Sequence, residues 1–136
     1  VVTFSPTVSG TFNDTVEIPY NNGVISTSST RDVTGVGAPP AVLAITDSPT
    51  YDYGTRATGS STDRTFTVSN SGGINATSIS AGGLAAPFTF KGGTYPGSGG
   101  TCGTSIASAG SYTIVVTYAP VGTGTQNDSV DFTYND

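Results

Sequence analysis

The chain has 136 residues, of which only 10% are charged, and a formal net charge of −5. That length accommodates one domain, or one domain with a piece of a neighbour. The acidic balance, with four scattered cations (Arg31, Arg56, Arg64 and Lys91), excludes a phosphate-binding surface for nucleic acid or anionic membrane. No run approaches the roughly 20 apolar residues of a membrane span, so no membrane insertion is expected.

In chain order, Val1 to Phe4 alternates and meets Pro6, which reads as a strand end. Thr15 to Tyr20 places Val16, Ile18 and Tyr20 on one face, and Asn21-Asn22-Gly23 is a turn signal. Val24 to Val36 reads as an edge or closing strand, and Ala38-Pro39-Pro40 as a linker. Ala41 to Thr46 is a strand ended by Asp47-Ser48-Pro49, and Tyr51-Asp52-Tyr53-Gly54 is a short strand closing on glycine. Arg64 to Asn70 aligns Phe66 with Val68 before the Ser71-Gly72-Gly73 turn. Ala76 to Ser80 and Pro87 to Phe90 follow. Lys91 to Thr104 is glycine-rich and expected to be a long mobile loop. Ser111 to Tyr118 is the most strand-like segment, and Asp128 to Tyr134 closes with Val130, Phe132 and Tyr134 in step.

No segment carries helical periodicity. Short alternating strands divided by Gly, Pro and Asn turns predict an all-β chain, specifically an immunoglobulin-like β-sandwich. A second signal is a repeat. Residues 1–22 align without a gap on residues 115–136, an offset of 114, with eleven identities. Among these are Gly10/Gly124, Asn13/Asn127, Asp14/Asp128, Val16/Val130 and Tyr20/Tyr134. A period of 114 residues is one small domain, so the expectation is a tandem repeat array. Residues 1–37 would be terminal strands of a preceding repeat, or an N-terminal donor segment. Residues 38–136 would be an immunoglobulin-like repeat lacking its last strand.

Tyr51 to Gly54, Gly59-Ser60 and Thr65 to Gly73 together resemble a family signature. So do Pro87 to Phe90, Gly92 to Gly97, Gly100 to Gly103 and Tyr118-Ala119-Pro120, in that order. The family is the immunoglobulin-like repeats of bacterial surface proteins called choice-of-anchor D proteins, related to the ASPM/SPD-2/Hydin domains. The resemblance implies an extracellular or cell-surface location in a bacterium and no reaction. Such repeats often carry a second cysteine where this chain has Ser111-Tyr112, which implies that Cys102 is a free thiol.

The chain has no histidine and one cysteine, which excludes Ser-His-Asp and Cys-His catalysis and zinc clusters built by this chain alone. Most acidic residues sit beside turn residues, where Asx turns account for them without catalysis, so no enzyme and no obligate cofactor are expected. Calcium is the best ligand hypothesis, with Asp32, Asp47 and Asp52 flanking the linker, although no D-x-D-x-D-G spacing is present. The 91–104 loop lacks G-K-[ST] and a following helix, so it is no phosphate loop. It remains a candidate reader of a surface glycan or protein, with Tyr95 as anchor and Lys91 beside it. Lys91 is also the one lysine able to form an isopeptide crosslink. Asn13-Asp14-Thr15, Asn75-Ala76-Thr77 and Asn127-Asp128-Ser129 fit the N-glycosylation pattern, which arises readily by chance in a Thr- and Asn-rich chain.

The expected function is structural: a module of a stalk, adhesin or fibre whose partners are neighbouring copies or adjacent repeats. A sandwich missing a closing strand exposes unpaired backbone. The donor for head-to-tail strand complementation would be the segment carrying Val16, Ile18, Tyr20, Val24, Ile25, Val33 and Val36. The alternative is a carbohydrate- or protein-binding module using the loop.

Overall fold

The computed structural model describes residues 1–47 and 49–136, and within them the chain is all-β, with nine strands in three antiparallel sheets and no helix. It forms two compact units, Val1–Pro39 and Pro40–Asp136, divided inside the expected linker.

The first unit is a hairpin. Strand β1 (Gly10–Asn21) pairs with β2 (Ser26–Gly37) along its whole length, from Gly10 opposite Gly37 to Asn21 opposite Ser26. The turn is made by side-chain caps: Asn21 Oδ1 accepts from the Gly23 amide, and Asn22 Oδ1 accepts from the amides of Val24 and Ile25. Asx capping of this kind is the mechanism behind the Asn-Asn-Gly signal. Val24 and Ile25 therefore belong to the turn, not to the strand expected from Val24 onward. Val1 to Phe4 is likewise not a strand; instead Phe4 packs against Phe12 at 5.9 Å between ring centroids and leaves no room for a side chain at Gly35.

The second unit holds seven strands. Strands β3 (Leu43–Ile45), β4 (Thr62–Asn70), β6 (Phe88–Phe90) and β8 (Ser111–Tyr118) form a sheet ordered β3-β4-β8-β6. Strands β5 (Ala76–Gly82), β7 (Ser105–Ile106) and β9 (Asp131–Asn135) form another, ordered β7-β5-β9. Both sheets contribute to one core: Val68, Ile114, Val116 and Phe90 from the first, Ala76, Ile79 and Ile106 from the second. Phe66 stands opposite Ile114 and Phe90 opposite Val116, so cross-strand partners meet in that core.

Asn70 is the polar centre of this unit. It is 1% exposed; its Oδ1 accepts from the amides of Val42 and Gly72, while Nδ2 donates to the carbonyls of Ile74, Ile106 and Ala107. One amide thus ties β3's entry, the turn after β4 and the end of β7 together, and every polar atom in it is satisfied.

Two further expected elements differ, and one strand was not expected. Tyr51 to Gly54 forms no ladder, yet its aromatics are fixed by the sheet: Tyr51 meets Phe66 edge-on at 5.5 Å, and Tyr53 lies 5.4 Å from Tyr118. The Tyr53 hydroxyl donates to the Val116 carbonyl at 3.1 Å. The final strand starts at Asp131, not Asp128. Strand β7 was hidden from pattern reading because two residues carry no periodicity. The Asp47-Ser48-Pro49 break is described at Asp47 and Pro49; Ser48 lies outside the described residues.

Candidate functional site

The glycine-rich segment after β6 is pinned along the edge of β8. The Lys91 amide donates to the Val115 carbonyl, the Val115 amide to the Pro96 carbonyl, and the amides of Thr101 and Cys102 to the Thr113 carbonyl, all at 2.8–2.9 Å. The segment therefore continues the ladder that Phe88 to Phe90 begins, in place of an open edge. Gly97 shows why glycine is needed: its φ is +92°, and a Cβ there would overlap the Val115 carbonyl oxygen. The expectation of a long mobile loop is corrected by these bonds.

Tyr95 is half-buried within this segment, packed edge-on against Phe90 at 5.6 Å and Phe132 at 6.1 Å. Its hydroxyl lies 2.8 Å from Cys102 Sγ and donates to the Gly103 carbonyl at 3.0 Å. Burial, and then the hydrogen bond to Cys102, push the Tyr95 phenol well above its usual range. The exposed Tyr95 platform expected of a glycan reader is thus replaced by a half-buried aromatic wedge against the core. Cys102 is a free thiol and 4% exposed, which keeps it from an intermolecular disulfide without local opening. Lys91 pairs with Asp63 at 2.8 Å; that hydrogen bond first, and then one from Thr117, hold the Asp63 carboxyl below its usual range.

The carboxylates considered for calcium have other partners. Asp32 Oδ1 accepts from the Thr15 hydroxyl at 2.8 Å. Asp47 pairs with Arg64 at 2.6 Å, and the Arg64 guanidinium also sits 4.5 Å from the Tyr51 ring centroid. Asp52 Oδ1 accepts from the Gly54 amide in an Asx turn. Among the described residues, no group of three or more Asp, Glu or Cys side chains is arranged to hold a metal ion.

What the second unit does contain is a groove of about 530 Å³. Its floor is apolar (Leu43, Ile45, Phe66, Ile114 and Val116), and its wall is the segment Gln126–Val130 leading into β9. Strand β9 pairs with β5 on one side, Phe132 opposite Ala81 and Thr133 opposite Ser80. Among the described residues nothing pairs with its other side.

The residues expected to act as an inter-subunit strand lie in the hairpin. Val16, Ile18 and Tyr20 share a face with Val33, which stands opposite Asp14; Val36, opposite Thr11, lies on the other face. Ile18 is 62% exposed and Tyr20 51%, and Val24, Ile25, Val33 and Val36 are exposed as well, leaving Val16 half-buried. The residues aligned with Val16, Ile18 and Tyr20 behave differently: Val130, Phe132 and Tyr134 are half-buried against the core of the second unit.

Comparison with known proteins finds no matching family model, no similar curated protein and no similar solved structure.

Proposed function

We propose that this chain is a structural module of a secreted or cell-surface repeat protein, an immunoglobulin-like β-sandwich unit of a stalk, adhesin or fibre built with a period of 114 residues. The observation that carries the reading is the unequal fate of one repeated sequence. As β9 and its approach, it lays Val130, Phe132 and Tyr134 on a core; as β1, it leaves Ile18 and Tyr20 bare. A two-stranded hairpin alone is marginal in water, so β1 and β2 have the character of strands that work as part of a larger assembly. A tandem array supplies that assembly in each repeat. The resemblance to choice-of-anchor D repeats agrees with such an arrangement.

The test is a chain of three consecutive 114-residue periods measured by small-angle X-ray scattering. A spacer or stalk lengthens by a constant increment per added period. A maximum dimension that stays near that of one unit overturns the reading.

A further inference from the structure

We propose that Asn22, at the tip of the β1–β2 hairpin, is a self-modification site. The Gly23 nitrogen closes on the Asn22 side-chain amide, ammonia leaves, and water opens the resulting succinimide to an aspartyl residue. The reaction needs the hairpin alone and stands apart from the array reading.

Three parts of such a cyclisation have to meet: an unhindered nucleophile, a carbonyl carbon held beside it, and donors for the charge that develops on the carbonyl oxygen. The nucleophile is the main-chain nitrogen of the next residue. Of the asparagines in the chain, Asn22 alone is followed by glycine, so only there is the attacking nitrogen free of an adjacent Cβ. Asn22 and Gly23 are both exposed, and a Cβ built on Gly23 would meet nothing within 4 Å, so hydroxide and water reach the tip.

The turn supplies the rest. Asn22 Oδ1 accepts from the Val24 and Ile25 amides, both at 2.9 Å. These bonds fold the side-chain amide forward along the chain, past the Gly23 nitrogen, and hold it there. The same two N–H groups face the oxygen on which negative charge gathers as the nitrogen attacks, at the distance an oxyanion hole requires. The Gly23 N–H donates to Asn21 Oδ1 at 2.8 Å and the Asn22 amide to the Ile25 carbonyl at 3.2 Å, which fixes the loop in this pose. Asn70 marks the contrast. Its Oδ1 also accepts from two amides, but it is 1% exposed and precedes Ser71, so it has neither access to hydroxide nor an unhindered nitrogen.

The step balances without a further reagent. Hydroxide takes the Gly23 amide proton, the bond from that nitrogen to Asn22 Cγ forms, and the Cγ–Nδ2 bond breaks with Nδ2 leaving as ammonia. Water then cleaves the ring on one side of the nitrogen or the other. Cleavage at Cγ leaves an ordinary aspartate, whose carboxylate is a charged and stronger acceptor for the Val24 and Ile25 amides. Cleavage at the main-chain carbonyl leaves isoaspartate, which runs the backbone through the side chain and lengthens it beside the Asn21–Ser26 pair that ends the ladder. Either product adds a negative charge to a chain that already carries −5. The residue aligned with Asn22 at the offset of 114 is Asp136, so aspartate already follows Tyr-Asn once in this sequence.

The experiment holds the full chain at mildly alkaline pH beside a synthetic peptide of Pro19–Thr27, which has the same sequence and no ladder. Intact mass and peptide mapping follow both, with electron-transfer fragmentation to separate aspartate from isoaspartate. The chain should gain about 1 Da, first at Asn22. Its rate should exceed that of the peptide by about tenfold or more, the effect of preplaced donors. Val24→Pro, which removes one donor, should slow the chain by about tenfold or more. The comparison of chain with peptide needs no variant, so it decides even where the proline disturbs the turn. A rate at Asn22 equal to or below that of the peptide, earlier modification of another asparagine, or an unchanged rate in Val24→Pro would each overturn the proposal.

Discussion

At the scale of single residues, two side chains make the strongest demands on their surroundings. Asn70 is buried with five hydrogen-bond partners, and replacing it with alanine leaves the buried Gly72 amide without its acceptor and the Ile106 carbonyl without its donor. Each orphaned buried group costs about 1–3 kcal/mol, so Asn70→Ala should lower unfolding stability by about 3–5 kcal/mol in denaturant titration, with the slope unchanged. Tyr53 makes the second demand. Burial first, and then the charges of Tyr51 and Asp63, raise its phenol from 10.0 to about 12. The folded state therefore holds a proton that the unfolded chain gives up earlier. This stabilisation is fully present below pH 10 and is lost as pH rises toward 12, so stability should fall over that window. Tyr53→Phe should flatten the fall in melting temperature over the same range. The Ser71-Gly72-Gly73 turn after β4 was legible in sequence; that Asn70 before it would reach three carbonyls from two other segments was not, because those carbonyls come together through sheet packing.

At the scale of elements, the segment from Lys91 to Thr104 shows what a glycine-rich run does beside a strand. Its amides and carbonyls follow β8, and Gly97 and Gly100 allow close backbone approach whereas Gly93, Gly99 and Gly103 face open space. Two of them separate the causes. Gly93 and Gly97 have similar positive φ, +88° and +92°, but Gly93 faces open space and Gly97 meets the backbone of Val115. Gly93→Ala should cost about 1–2 kcal/mol, the price of a left-handed alanine. Gly97→Ala should cost at least about 2 kcal/mol more, since the added methyl overlaps a carbonyl that β8 cannot move. Paired thermal denaturation of the two variants measures the difference. Strand β8 itself, Ser111–Tyr118, was fully legible, because its β-branched and aromatic residues favour the extended state whichever partner they find. Tyr51 to Gly54 reads in sequence as a short strand closing on a glycine, but a ladder needs a neighbour's backbone, and the segment forms none.

At the scale of the whole molecule, the hairpin and the seven-stranded unit differ in how completely they bury their own apolar residues. The second unit closes a core of nine buried residues, whereas the hairpin keeps an apolar face exposed. By itself, the sequence determined the all-β class, a break between two units near Ala38 to Pro40, the likeness of residues 1–22 to 115–136, and the strand at Ser111–Tyr118. These are local properties, set by side-chain period, turn chemistry and self-similarity. Only the tertiary structure decided that Tyr95 is a wedge rather than a platform, that Lys91 and Asp47 are already paired, and that one repeated segment is strand in one place and not in the other. Each of those depends on which backbone or charge lies alongside, and strand pairing, unlike strand propensity, is a property of two segments rather than one.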